Sequence, residues 1–221
     1  VRASELVPQF ETPRRATAGQ LGWGLALVSL GLFEKVVVAD ALLAPVVDQA
    51  YALERIGTAD AWIGTVAFAG QIFCDFAGYS TCAIGVALCL GFNLPENFRF
   101  PYAAIGFSDF WRRWHMSLSS WLRDYVYISL GGNRRRPTRT HLNLMLTMLI
   151  GGLWHGASWT FVVWGGLHGA YLVVERLIRG VVPASPRWDT AVVRLALGLA
   201  TFALVCVAWV FFRAHDFAQA F

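Results

Sequence analysis

The chain has 221 residues, of which 57% are hydrophobic and only 14% charged, with a mean hydropathy of +0.51. Soluble domains carry roughly 25% charged residues, so the composition excludes an ordinary water-soluble globular protein and points to a membrane protein. The net charge of +4 is modest, and its placement fits membrane topology rather than a nucleic-acid partner.

The chain begins without methionine and ends in DFAQAF, inside an unfinished segment, so the expectation is one membrane domain over 1–221 that is a fragment of a longer chain. The first hydrophobic block, 21–48, is interrupted by Glu34, Lys35 and Asp40, and the second, 61–92, by Gln71 and Asp75. Polar groups inside such blocks face a bundle interior or a cavity rather than lipid. At 100° per residue, Gln71, Asp75, Tyr79 and Cys82 fall within about 80° of one another. This polar stripe serves either as a hydrogen-bonded seam between helices or as a site, since a carboxylate at membrane depth is a site candidate in itself. Asn93, Pro95, Asn97 and Pro101 mark the break that follows.

SDFWRRWHMSLSSWLRDYVY, residues 108–127, predicts an amphipathic helix with Ser108 as N-cap. Phe110, Trp111, Trp114, Leu118, Trp121, Leu122 and Tyr125 gather on one side, with Arg112, Arg113, Ser120 and Arg123 on the other. A basic, tryptophan-rich helix of this kind lies in the membrane interface. His115 falls at the border of its apolar stripe, where a histidine is either a hydrogen-bonded structural residue or part of a site, and the pattern alone favours the first. Arg112, Arg113, Arg123, Arg134, Arg135, Arg136 and Arg139 concentrate in this connection, which the positive-inside rule places on the cytoplasmic side. Gly131, Gly132, Asn133 and Pro137 mark a loop within it.

The third block, 142–178, contains GGLWHGASWTFVVWGGLHG with His155 and His168. On a continuous helix these two stand about 220° apart, so they share no metal-binding face, and no metal site is expected. Apolar surroundings favour a neutral imidazole at His155, able to act as a general base, and the residues alone leave a structural and a catalytic role equally open. After a break at Pro183, Ser185 and Pro186, the stretch from Leu195 to Phe212 is free of charge and ends in Trp209, Phe211, Phe212 and Arg213, the clearest membrane span. Cys74, Cys82, Cys89 and Cys206 lack CxxC or metal-ligand spacing and read as free buried thiols. No internal repeat is present.

QIFCDFAGYS, LPENFRFPY, DFWRRWHMSLSSWLRDYVYISLGGNR and GGLWHGASWTFVVWGGLHG together resemble the membrane-bound O-acyltransferase family, in its bacterial alginate O-acetyltransferase branch. GLFEKVVVAD and WVFFRA extend the likeness over nearly the whole chain. The resemblance implies an all-α, polytopic membrane bundle with an interfacial amphipathic helix and short re-entrant or broken helices around a tunnel, in the bacterial inner membrane. It implies O-acyl transfer, acetyl by analogy, from a cytoplasmic thioester donor, acetyl-CoA or an acyl carrier protein, with no bound cofactor. The acceptor is then a hydroxyl of an extracytoplasmic polysaccharide such as alginate, reached directly or through a periplasmic acetyltransferase partner. His155, in LWHG, matches the family's essential histidine, and His115, in RRWH, the second histidine motif of the branch. The resemblance makes His155 the general base, His115 a group on the donor or acceptor, and Gln71, Asp75, Tyr79, Trp154 and Trp159 the lining or support of the path. Arg112 and Arg113 then attract the anionic donor. Two other classes stand beside this reading: D-alanyl-type acyl export to a cell-wall polymer, and a non-catalytic channel or scaffold subunit. On the catalytic reading His115 and His155 converge to within the order of 10 Å on a cavity that Asp75 and Tyr79 line or buttress, while His168 points elsewhere.

Overall fold

The computed structural model describes residues 2–53, 55–134, 136–183 and 186–220, the side chains of Pro186 and Arg187 excepted. Arg135 of the basic run and Ser185 of the last break lie outside the described residues. All regular elements among the described residues are helical, and the chain divides into two compact units, Val1–Phe98 and Arg99–Phe221.

The first unit begins with α1 (Ala3–Leu6) and the short 3-10 turn Val7–Phe10. A capping box opens α2 (Ala18–Leu32): the Thr17 hydroxyl accepts from the Gln20 N–H at 3.2 Å and the Gln20 side chain accepts from the Thr17 N–H at 2.9 Å. The helix runs on through the π-helical Phe33–Leu43 into α3 (Ala44–Tyr51), and α4 (Thr58–Cys89) packs back along it. Their seam is made of glycine. Gly24 faces Gly85 and Gly31 faces Gly78; a Cβ on Gly31 would stand 2.5 Å from the Gly78 carbonyl oxygen, and one on Gly85 2.6 Å from that of Gly24. Lipid offers no hydrophobic drive for helix association, so close backbone approach through small residues supplies the contact instead. Cys82 and Cys89 sit in the same seam with their thiols toward the Val28 and Leu21 carbonyls. All four cysteines are free, as expected, although only Cys206 is fully buried.

The polar interruptions of the first two blocks meet. Lys35, on the π-helical segment, pairs with Asp40 at 2.9 Å and with Asp75 on α4. The stripe expected on α4 therefore divides: Asp75 is held by this ion pair, the Gln71 carbonyl oxygen is buried without a hydrogen-bond partner among the described residues, and Tyr79 is 67% exposed.

In the second unit, a 3-10 turn (Pro101–Ala103) precedes α5 (Phe107–Trp111), α6 (Met116–Trp121), the π-helical Leu122–Tyr127, α7 (Pro137–His155) and α8 (Trp159–Val181). A further 3-10 turn (Pro186–Asp189), α9 (Ala191–Arg213) and α10 (Phe217–Ala220) complete it. The continuous helix expected over 108–127 is not formed. Gly106 rather than Ser108 caps its first piece, and His115 adopts a left-handed φ of 42° that separates α5 from α6. The kink re-aims the apolar face: Phe110, Trp114, Leu118 and Leu122 are buried, while Trp121 and Tyr125 turn outward. The 142–178 block likewise breaks at 156–158. There α7 and α8 pack through Gly152, whose Cβ would strike the Phe161 carbonyl, and Gly165, whose Cβ would strike that of Met148. By length and composition α4, α8 and α9 are long and apolar enough to cross a membrane.

Candidate active site

His155 is the last residue of α7, half-buried where the chain leaves the helix. Gly156 follows because a Cβ there would lie 2.7 Å from the Phe161 ring, and Ser158 then starts α8, its hydroxyl accepting from the Thr160 N–H at 3.3 Å. The His155 imidazole is walled by aromatic rings: Trp154 at 5.0 Å between centroids, Phe212 at 5.0 Å, Trp164 at 5.2 Å and Phe161 at 6.2 Å. The Trp154 ring is shared. His115 stands edge-on to it at 6.3 Å, so the two imidazoles of the sequence motifs, forty positions apart, lie against one indole.

The conformation of His115 constrains its chemistry. As N-cap of α6 it accepts the Leu118 N–H at Nδ1, 3.2 Å away. An imidazole nitrogen that accepts carries no proton, so the neutral ring holds its proton on Nε2 and is a donor there. Burial pushes the His115 pKa down to about 4, its own backbone hydrogen bond works against this, and the charge of a protonated His155 adds to the downward shift. His115 is therefore neutral at pH 7, as its capping role requires.

The segment that carries His115 is anchored at its other end. Glu175, on α8, accepts the Phe107 N–H at 2.7 Å and the Ser108 N–H at 2.9 Å through one carboxylate oxygen, while the other meets Arg179 at 2.7 Å. The Thr201 hydroxyl, on α9, accepts the Gly106 N–H at 2.9 Å. Asp109 accepts the Ile105 N–H at 3.2 Å and pairs with Arg113 at 3.0 Å and more loosely with Arg112. Burial works to raise the Asp109 pKa, but the hydrogen bonds from Arg113 and Ile105 and the charges of Arg113 and Arg112 outweigh it and hold the carboxyl below its usual range. The two arginines expected to draw an anionic donor thus share an internal carboxylate, and Arg112 is the more exposed of them.

Of the other expected site residues, Trp154 contacts both histidine rings and is 60% exposed, and Trp159 is 74% exposed at the start of α8. Gln71, Asp75 and Tyr79 belong to the first unit. That unit holds a cavity of about 430 Å³ lined by Trp23, Ser80, Asn97 and Phe98 among others, and none of the three lines it. The separation of His155 and His168 counted on a continuous helix does not apply, because the helix breaks between them. His168 lies behind Trp164, 5.0 Å from it, fully buried, with both ring nitrogens lacking a hydrogen-bond partner among the described residues. It packs flat on Phe110, the ring that leads into the His115 segment, at 5.9 Å. Sequence reasoning passed over Glu175 and Thr201; a single carboxylate inside an apolar helix was the available signal for the first.

Comparison with known proteins gives a consistent result. A model of the membrane-bound O-acyltransferase family matches residues 2–213. The probable alginate O-acetylase of Azotobacter vinelandii is 47% identical over 98% of this chain and 42% of its own length. That of Pseudomonas aeruginosa is 46% identical over 98% of the chain and 40% of its own length. The peptidoglycan O-acetyltransferase of Helicobacter pylori is 41% identical over 100% and 42%. The chain thus spans about two-fifths of the length of these relatives.

Proposed function

Because the chain belongs to the membrane-bound O-acyltransferase family, we propose that the full-length protein transfers an acyl group, acetyl as in the names of its relatives, from a thioester to a hydroxyl. The donor is acetyl-CoA or an acyl carrier protein on the cytoplasmic side of the inner membrane. The acceptor is an extracytoplasmic polysaccharide, acylated directly or through a periplasmic partner. The observation that carries this reading is the meeting of His115 and His155 on Trp154.

Each imidazole then has a separate task. His155 removes the proton of the acceptor hydroxyl as its oxygen attacks the thioester carbonyl, and returns that proton to the departing thiolate, so that an ester and a free thiol leave. His115, its Nδ1 engaged by Leu118, donates from Nε2 to the carbonyl oxygen as negative charge develops there. Phe161, Trp164 and Phe212 close one side of the imidazole against water that would hydrolyse the thioester, while Trp154, 60% exposed, borders its open side. Trp159, Gln71, Asp75 and Tyr79 enter as lining or support of the path on the family resemblance, and Arg112 as the exposed cation for an anionic donor.

The test is His155→Gln in the full-length protein, expressed in cells lacking the native copy, with polymer O-acetylation and membrane-inserted protein both measured. Acetylation falls to background while the protein accumulates normally. Near-normal acetylation removes His155 from the chemistry and favours a scaffold role.

A further inference from the structure

We propose that Glu175 is a positioning residue for His115, acting through the backbone of α5. The proposal rests on the reading of His115 as a site residue. Four observations converge on it. The carboxylate of Glu175, with its side chain 11% exposed, accepts two successive N–H groups, those of Phe107 and Ser108, at 2.7 and 2.9 Å. These N–H groups open a helix and have no partner within it, so a buried acceptor from another element is what fixes that end. Gly106, at a φ of +89°, leaves room for the carboxylate: a Cβ there would stand 2.9 Å from its Oε1. Thr201 fixes the Gly106 N–H from α9 at 2.9 Å, so two long helices hold one turn of backbone.

From that clamp to His115 the path is short and stiff. Arg113 and Trp114 donate their N–H groups to the Phe110 carbonyl at 2.9 and 2.8 Å, and the Phe110 and Trp114 rings stack at 5.6 Å, both buried. The Arg113 carbonyl accepts the Arg99 N–H at 2.9 Å. His115 follows at once, in the left-handed conformation that turns its ring toward Trp154. A shift of α5 by a fraction of an ångström is carried to the imidazole, where donors to a developing charge tolerate little misplacement.

The experiment uses the full-length protein in membranes and in detergent. Glu175→Ala lowers kcat at least tenfold with the KM for the thioester changed less than about threefold, and Glu175→Gln, which keeps an acceptor oxygen of the same reach, stays within about threefold of the parent. Hydrogen–deuterium exchange of the 105–118 peptide rises in Glu175→Ala while that of α8 does not. In the His115→Ala background Glu175→Ala costs no further activity. Unchanged exchange at 105–118, or a Glu175→Ala loss that persists in full without His115, overturns the proposal. A fully active His115→Ala overturns the reading of His115 instead, and any activity loss on Glu175→Ala in that background then rejects the route through His115 as well. Where Glu175→Ala reduces the amount of protein, Glu175→Gln and the exchange measurement still decide.

Discussion

Replacing His115 by asparagine separates its two duties. The ring caps α6 through Nδ1 and Leu118 N–H at 3.2 Å, from a residue at a φ of 42°. Asparagine is among the best N-caps and tolerates the left-handed region, so His115→Asn keeps the cap and the kink. His115→Ala loses the cap, worth about 1 kcal/mol, which is on the order of a fivefold change in the population of the ordered turn. If capping were the whole role, alanine would cost about fivefold in activity and asparagine almost nothing. If Nε2–H donates to the carbonyl oxygen in the transition state, both variants lose about 10²- to 10³-fold, the usual effect of removing one such donor. Transfer of labelled acetyl groups to polymer in membrane vesicles, normalised to the amount of each variant, distinguishes the two. Asparagine activity within fivefold of the parent refutes the donor role and leaves His115 a cap.

Other expectations follow from the same features. A cysteine at the exposed Thr138 position, Thr138→Cys, is labelled by a membrane-impermeant maleimide only from the cytoplasmic side; labelling only from outside reverses the topology. The pKa of His115 is depressed to about 4 from 6.5, so its neutral form contributes stability that is fully present above pH 6.5 and is lost as pH falls toward 4; by linkage this is about 3 kcal/mol. The melting temperature of the solubilised protein drops across that window, and a His115→Asn variant with an equal drop assigns it to other groups. Lys35→Ala removes the cation shared by Asp40 and Asp75 and reduces the inserted protein more than Asp75→Asn, which leaves the Lys35–Asp40 pair intact; equal amounts of the two variants would discount the network.

The sequence made the fold legible wherever chemistry changed over a long stretch. An uncharged run located α9, a hydrophobic block broken by Gln71 and Asp75 located most of α4, and proline and glycine located the loops. The kink at His115 was not legible, because a period of 3.6 continues smoothly through RRWHMS and the left-handed residue is imposed by tertiary contacts, the burial of Phe110 and Trp114. The break at Gly156 was hidden for the opposite reason: glycine is common in membrane helices, so GGLWHGAS does not read as a stop. The histidines stood out as polar residues in apolar motifs. Glu175 did not, because its basic companions Arg176 and Arg179 made it look like the charged end of a span rather than a lone carboxylate like Asp75. Its task, holding backbone N–H groups of a distant turn, is set by tertiary geometry rather than by spacing.

The seam between α2 and α4 carries a consequence for genetics. At Gly31 and Gly78 an added methyl group meets the main chain of the facing helix, and the facing residue is already glycine. A damaging substitution there has no smaller neighbour to mutate to, so selection for restored function should return glycine at the same position. Suppressors should be rare at the facing glycine.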